Sequence, residues 1–539
     1  MMKYRLLSLF SLMLPALSFA QESTSEKIDA VFSKYTSWFV DAIFYEIPFS
    51  DTFQLPWVLI VLVGGALYFT IYFKLINITG FWTAIKVVQG KYEDIEKHGV
   101  DHLYGDTAEE HDLPDTIRDE SAHGEVSHFQ ALTAALSATV GLGNIAGVAV
   151  ALSIGGPGAT FWMILAGLLG MASKFAECTL GVKYRDVGED GTVYGGPMYY
   201  LTKGLKEKNA KGLGKILAVL FAIFVIGGSF GGGNMFQANQ AAAQFVDLFN
   251  LENDNAGLYF GIIMAVLVAI VIIGGIKRIA SVTEKIVPFM AGVYVLAALI
   301  ILGANFSSID DAFGLIFEGA FSGLGIAGGL IGVMIQGIRR GAFSNEAGVG
   351  SAAIAHSAVR TKYPASEGIV ALLEPFVDTV VICTMTALVI IITNYEAGFL
   401  QYGTEITEGV EITATAFDTV IPHFSIVLTV AVILFAFSTM ISWSYYGMQG
   451  WMYLFGKSKT SDLAYKILFL IFVVVGASIS LGSVIDFSDA MIFAMVVPNI
   501  IGVILLTPVV RKELNKYMNA INKKEDALED GAEDLVDKL

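Results

Sequence analysis

The residues with the clearest chemical purpose form one run: Ser137-Ala138-Thr139-Val140-Gly141-Leu142-Gly143-Asn144-Ile145-Ala146-Gly147. The run lies in a stretch apolar enough to cross a membrane, yet three glycines and an asparagine interrupt it. A backbone inside a bilayer must satisfy its own hydrogen bonds, so helix-breaking sequence is tolerated there only where protein or a wet cavity surrounds it. Unwinding at this point frees N–H and C=O groups and leaves two half-helix ends. The N–H groups at Gly141 and Gly143 can grip a carboxylate, helped by the positive end of the half-helix that follows. The carbonyls that end the preceding half-helix suit a sodium ion; Thr139 can add a hydroxyl and Asn144 an amide oxygen. Asn144 can equally cap the second half-helix, since capping and ligation are compatible. Broken helices that pair a carboxylate with a small cation are the equipment of a secondary transporter.

Other polar groups in apolar sequence need partners. Asn234, Gln237, Asn239 and Gln240 fall within seven residues, and burying an amide without a partner costs roughly 2–7 kcal/mol. Asn234 and Gln237, at i and i+3, share a helical face and could read a substrate amine or carboxylate, or belong to an extracellular loop. Ser438, Thr439, Ser442 and Trp443 line another apolar stretch, where hydroxyls commonly bond back to a carbonyl one turn earlier. Trp443 can wall a pocket or simply pack. Ionisable residues within spans are functional suspects. Lys174 and Glu177 are expected to pair with each other. Glu374 and Asp378, four apart with no cation nearby in sequence, could carry a coupling proton or form a gate toward the cytoplasmic side. Five of the seven histidines (His98, His102, His111, His123, His128) fall in an acidic stretch and read as a solvated surface. Cys178 and Cys383 read as small buried hydrophobes. No Walker or His-Glu-x-x-His motif is present, so neither ATP-driven transport nor that metalloprotease class has support.

The elements that must position these groups follow from hydropathy. The 539 residues are 55% hydrophobic and 15% charged, with mean hydropathy +0.65. Spans are expected at 54–77 and then at 130–154, 158–181, 214–231, 257–276, 285–303, 313–338, 367–393, 424–447, 464–482 and 486–508. Loops at 155–157, 232–256, 304–312, 394–423 and 483–485 contain no Lys or Arg, whereas the alternate loops carry them throughout. This bias places the N-terminus outside and the C-terminus in the cytoplasm of a bacterial-type inner (plasma) membrane. The expected organisation is a signal peptide at 1–20, an extracytoplasmic segment at 21–53 and a leading span at 54–77. An acidic cytoplasmic loop at 78–128, two five-helix repeats at 129–305 and 306–510, and a charged tail at 511–539 complete it. Five being odd, the two repeats have opposite orientations. Gly323, Gly325, Gly328, Gly329 and Gly332 at the head of the second repeat are the expected counterpart of the first break. The fold class is an all-α integral membrane protein of about eleven transmembrane helices: a five-plus-five inverted repeat with broken helices, preceded by one extra span. The net charge of −17 lies largely in the acidic loop and the tail, and the lack of basic patches excludes nucleic acid as a partner.

Several motifs in one order resemble the alanine or glycine:cation symporter family, also called sodium:alanine symporters. They are His128-Phe129-Gln130-Ala131-Leu132-Thr133-Ala134-Ala135-Leu136 with the Gly141–Gly147 break, then Gly155-Gly156-Pro157-Gly158-Ala159-x-Phe161-Trp162-Met163. Lys174-Phe175-Ala176-Glu177, Gly195-Gly196-Pro197-Met198-Tyr199-Tyr200 and Gly233-Asn234-Met235-x-Gln237-Ala238-Asn239 follow. Arg340-Gly341-x-Phe343-Ser344-Asn345-Glu346-Ala347-Gly348 and Asp378-Thr379-x-x-Ile382-Cys383-Thr384-Met385-Thr386 complete the set. The resemblance implies sodium-coupled uptake of alanine or glycine on a leucine-transporter-like fold. It implies that Gly141 to Asn144 meet the substrate carboxylate. Val140, Asn144, Ser438 and Thr439 would hold sodium, while Gln237, the stretch up to Gln336, and Trp443 shape a small pocket. Sodium is then the coupling ion, with no further cofactor and no obligate protein partner beyond the lipid bilayer. Proton coupling through Glu374 or Asp378 is the nearest alternative, and a non-transporting amino-acid receptor or channel a more distant one.

Overall fold

The computed structural model describes residues 24–50, 53–99, 126–188, 191–251, 253, 255–322, 329–404 and 409–529. The expected signal peptide, most of the acidic loop with His102, His111 and His123, and Gly323, Gly325 and Gly328 lie outside them.

The described chain is almost entirely helical. Helix α1 covers Thr24–Ile43 and α2 covers Trp57–Tyr72, and the short α3 (Glu93–His98) precedes the broken element. That element is α4 (His128–Thr139) followed by α5 (Ala146–Gly155). Next come α6 (Ala159–Lys183), α7 (Lys211–Phe230), a π-helical turn at Gly231–Met235, α8 (Phe236–Leu248), α9 (Ala256–Ile272) and α10 (Gly275–Ala304). The second half comprises α11 (Ile309–Ser322), α12 (Gly329–Asn345), α13 (Ala352–His356), α14 (Pro364–Ala371), a π-helical segment at Phe376–Cys383 and α15 (Thr384–Ala397). Then follow α16 (Val410–Asp418), α17 (Phe424–Phe455), α18 (Lys459–Gly476) and α19 (Leu481–Glu529). Among the described residues the strands form two small antiparallel ribbons, Glu46–Ser50 with Phe53–Pro56 and Asp186–Val187 with Val193–Tyr194, and Val126 makes an isolated parallel bridge to Val359.

Among the described residues, six helical stretches are long and apolar enough to cross a membrane: Ala159–Lys183, Lys211–Leu248, Arg278–Ala304, Pro364–Ala397, Phe424–Phe455 and Leu481–Leu528. Helices α2, α5 and α9 are shorter and apolar. The outward faces are apolar as well, with Ile263, Leu267 and Ile270 on α9, Phe289 and Leu296 on α10, and Ile426 and Val430 on α17 all exposed. So much exposed apolar surface is unfavourable in water and natural in lipid. The interior is correspondingly polar: Lys174, Glu177, Arg340, Glu346, His356, Glu367, Glu374 and Asp378 are each almost fully buried.

The halves interlock. Helix α4 packs between α10 and α17, α5 lies against α12, and α6 packs along both α12 and α14. Every residue from Ser137 to Gly147 is consequently buried. Helix α19 continues well past the expected membrane exit at 508, so the first part of the expected tail is helix.

The candidate site where two helix breaks meet

Helix α4 begins at a reciprocal cap. The Ser127 hydroxyl accepts from the Gln130 amide at 3.2 Å, and the Gln130 side chain accepts from the Ser127 amide at 3.1 Å. It ends because Val140 leaves the helical region, with φ −73° and ψ 91°. The Gly141 amide then donates to Asn144 Oδ1 at 2.8 Å, and the Leu142 amide donates to Gln237 Oε1 at 3.3 Å. Neither amide therefore reaches a carbonyl four residues back, which opens the end of α4. Glycine is required at 141 by close approach: a Cβ there would lie 2.4 Å from Thr439 Oγ1. Asn144 is thus both the brace of the break and a bridge. Its Nδ2 donates to Asp378 Oδ1 at 2.6 Å and to the Asp378 carbonyl at 3.0 Å.

Asp378 sits in the π-helical segment at Phe376–Cys383. The widened turn carries its carboxylate to the break, in keeping with the frequent placement of π segments at functional sites. Ser344 and Thr379 donate to Asp378 Oδ2 at 2.8 and 2.7 Å, and Asn345 donates to the Thr379 hydroxyl at 2.9 Å. The hydrogen-bond donors recorded on this carboxylate are all neutral.

Ser344 and Asn345 end α12, and the chain breaks immediately after them. Glu346 adopts φ 55°, while Gly348 and Gly350 adopt φ 84° and 92°, before α13 begins at Ala352. The interruption that faces the first break is therefore Glu346–Ser351. It is not in the glycine cluster expected from sequence, whose described members Gly329 and Gly332 lie in α12. The signal was present in Glu346-Ala347-Gly348-Val349-Gly350, an acid and two glycines in apolar sequence. Glu346 accepts from Trp443 Nε1 at 2.9 Å and also from the Ser351 hydroxyl. Trp443 in turn lies against Gly233 so closely that a Cβ there would meet its Cγ at 2.2 Å. Phe343 faces Gly143 and Gly232 and packs edge-on against Phe236 at 5.4 Å between ring centroids. It is a lining residue that sequence reading did not single out.

Helix α17 closes the opposite side. The Thr439 hydroxyl donates to the Ser137 carbonyl at 3.1 Å, and the Ser137 hydroxyl donates to the Ser438 carbonyl at 2.9 Å. The Ser442 hydroxyl is 3.0 Å from that of Ser137. Ser438 itself bonds back to the Phe435 carbonyl at 3.0 Å, the bland arrangement considered above. Thr139 likewise bonds back to Ala135 at 3.3 Å.

Gly141, Gly143, Asn144, Gln237, Thr439, Trp443 and Asp378 are thus brought together, with Val140 and Ser438 at the edge. Asn234 is not with them. The π turn alters the helical register, so Gln237 faces the break and bonds the Gly232 carbonyl at 3.0 Å, while Asn234 bonds the Phe469 carbonyl of α18 at 2.7 Å. Gln336 lies beside Gly155, at the far end of α5.

The ion pairing also differs from expectation. Lys174 pairs with Glu374 at 2.8 Å, across helices, and not with Glu177, whose Oε1 takes the Asn499 amide at 2.6 Å. The other Glu374 oxygen contacts His356, so Glu374 has two cationic neighbours where the sequence offered none. His128 is not solvated: its ring is held between Glu96 and Glu367. Among the described residues, no cluster of His, Cys, Asp and Glu has the geometry of a metal site.

Comparison with known proteins gives this arrangement a context. The family model described as "Sodium:alanine symporter family" matches residues 111–530. The sodium/alanine symporter AgcS of Methanococcus maripaludis is 41% identical over 471 residues, covering 87% of this chain and 96% of its own length. The probable sodium/glutamine symporter GlnT of Bacillus subtilis is 35% identical, covering 73% of this chain and 78% of its own. The putative sodium/proton-dependent alanine carrier YrbD of Bacillus subtilis is also 35% identical, over 74% of this chain and 83% of its own. Among solved structures, MhsT in complex with L-phenylalanine shares the fold, with a TM-score of 0.50 at 14% identity over 74% of this chain and 99% of its own. The chain is a multi-pass membrane protein of cation-coupled amino-acid symport, not an enzyme, and it belongs to the sodium:alanine symporter family.

Proposed function

We propose that the protein couples inward sodium movement to uptake of a small neutral amino acid, alanine or glycine, by alternating access. The observation that carries this reading is the meeting of the two breaks: Asn144 from the first bonds Asp378, which also takes Ser344 from the end of α12. The substrate carboxylate is assigned to the Gly141–Asn144 amides, where Gln237 already accepts from Leu142 and can exchange that bond for the substrate. Trp443 and Phe343 limit the pocket to a small side chain, and the name of the Methanococcus maripaludis relative favours alanine. Sodium is assigned to the end of α4, where the Ser137 carbonyl and the Thr439 hydroxyl converge within 3.1 Å, with Val140, Ser438 and Asn144 alongside. Asp378 supplies negative charge close to that cation. Thr139 is assigned a supporting role beside the pocket, and Glu374 a role in gating.

The same reading gives eleven crossings in a plasma membrane, with the ten after α2 forming two inverted five-helix repeats and the N-terminus outside after a signal peptide. The distribution of Lys and Arg supports it. Uptake of radiolabelled alanine and glycine into proteoliposomes, with sodium and then potassium outside, tests the proposal. Accumulation that needs sodium sustains it; equal accumulation with potassium overturns it.

Proton coupling remains the second reading, favoured by the neutral hydrogen-bond donors on Asp378 and by the sodium/proton dependence in the name of the relative YrbD. Glu374, with Lys174 and His356 on its two oxygens, is the poorer carrier. Uptake driven by an inward pH gradient without sodium, and lost in Asp378→Asn, would select this reading.

A further inference from the structure

The histidines hold the least expected feature of the molecule. Glu96, His128, Glu367, His356, Glu374 and Lys174 form one continuous chain in which carboxylates and cationic groups alternate. Its outer end is tied to the C-terminal helix, where the Tyr517 hydroxyl donates to Glu96 Oε1 at 2.6 Å. Its inner end is Lys174, buried beside the second break.

Each histidine in this chain faces a carboxylate on both ring nitrogens. A neutral imidazole has one N–H and one lone pair, so it can satisfy only one of two carboxylates and repels the other. The doubly protonated ring satisfies both. Counted in that form, three carboxylates face three cations, and a buried chain of this kind is stable only when its charges balance.

The position of His128 gives the chain its purpose. It is the first residue of α4, whose other end is the break at Val140–Ile145. Movement of α4 about that break must pull His128 out from between Glu96 on α3 and Glu367 on α14. We propose that His128 is a proton-binding latch: the ring takes a proton from the cytoplasm when α4 closes and returns it to the same side when α4 opens. The proton passes from hydronium or a buffer acid to the ring nitrogen and back, so none is carried across the membrane. The proposal rests on the symport reading above for the meaning of opening, and on the inward orientation of residue 128.

The surroundings of the ring fix the direction of the pH effect. Helix α14 contributes Glu367, α13 contributes His356, and the Leu373–Pro375 turn contributes Glu374. Helix α10 contributes Glu284, which accepts from Gln130 at 3.2 Å, and the exposed Lys285. Lys86 on the Phe81–Val88 helix interacts with Glu525, and α17 carries no charged residue. Burial lowers the ring's pKa, but Glu96 and Glu367 raise it by more, leaving it well above the ordinary 6.5 in the closed state. A group with a raised pKa in one state stabilises that state fully below its free value, and the stabilisation fades as pH rises through the raised value. Acid on the cytoplasmic side therefore closes the latch, and alkali releases it.

A cysteine at Thr133, a buried position on α4, reports the movement in the full-length protein in inside-out vesicles. Its labelling rate by an impermeant maleimide is measured from pH 6.5 to 8.5 in Thr133→Cys and in Thr133→Cys/His128→Gln. Dividing the first rate by the second cancels the titration of the thiol itself. The proposal expects this ratio to rise by roughly tenfold or more across that range. A ratio constant within about twofold overturns it. Thr133→Cys/Glu96→Gln, which keeps the histidine but removes one carboxylate, should shift the rise to lower pH; no shift also overturns it, even where His128→Gln fails to fold. Labelling needs no alanine, so a failed symport reading would appear as absent uptake with the ratio intact.

Discussion

Gly141→Ala isolates the contact on which the proposed sodium site depends. The added Cβ would stand 2.4 Å from Thr439 Oγ1 and 3.4 Å from Gln237 Oε1. The second distance is ordinary contact; the first falls about 1 Å short of it. Either the break recedes from α17 or the Thr439 side chain turns, and both separate its hydroxyl from the Ser137 carbonyl. Overpacking of this kind costs about 1–3 kcal/mol, and the lost hydrogen bond adds about 0.5–1.5 kcal/mol. If the cost falls on the sodium-bound state, half-saturation for sodium in alanine uptake rises by roughly tenfold or more, since 1.4 kcal/mol is a factor of ten. The stronger test is a double-mutant cycle. In a Thr439→Ala background the nearest α17 atom to the new methyl is the residue 439 Cβ at 3.5 Å, an ordinary contact, so Gly141→Ala should then do little. Sodium titrations of uptake for the four proteins supply the cycle. An equal penalty for Gly141→Ala with and without the Thr439 hydroxyl would refute the reasoning, because the effect would then come from the backbone of the break alone.

Three further substitutions probe neighbouring parts of the account. Lys174→Met leaves Glu374 with only His356 as a cationic partner, at a cost of about 3–5 kcal/mol; yield and unfolding temperature in detergent should fall sharply, and Lys174→Met/Glu374→Gln should recover part of the loss. Trp443→Phe removes the donor from Glu346 Oε1 and frees the pocket wall, so the KM for alanine should rise on the order of tenfold at saturating sodium, whereas an unchanged KM would place Trp443 outside the pocket. Asp378→Asn removes the carboxylate beside the break, and sodium half-saturation should rise by about tenfold or more while the alanine KM at saturating sodium changes less; an unaltered sodium titration would remove Asp378 from the coupling machinery.

The first break was legible because glycine and asparagine inside an apolar run contradict the local rule for a spanning helix, and that contradiction is visible without a partner. Gly141 could be named for the same reason, though only the packed structure supplies Thr439 as the cause. The interruption at Glu346–Ser351 was not singled out because glycine density is an imperfect signal, and most of the cluster that was named lies outside the described residues. Gly329 and Gly332 sit in helix, whereas the turn at Glu346–Ser351 uses a glutamate in the left-handed region, held by Trp443 and Ser351. Asn234 and Gln237 were put on one face by a 3.6-residue period that the π turn does not obey. The ion pairs were the least accessible part. Glu374 lies 200 residues from Lys174 and 18 from His356, and Glu367 lies 239 from His128, separations that local spacing cannot bridge. A histidine next to an acidic stretch reads as solvated until the fold closes over it.

The central claim is that one helix break holds the amino acid and the cation together, so that neither moves alone. Simultaneous uptake of sodium-22 and carbon-14 alanine in the same proteoliposomes tests it most directly, with Thr439→Ala alongside. The account predicts a fixed ratio of sodium to alanine in the unaltered protein, and loss of both fluxes together in the variant at low sodium. Alanine entering without sodium, or sodium entering at an unchanged rate when alanine is withheld, would contradict it.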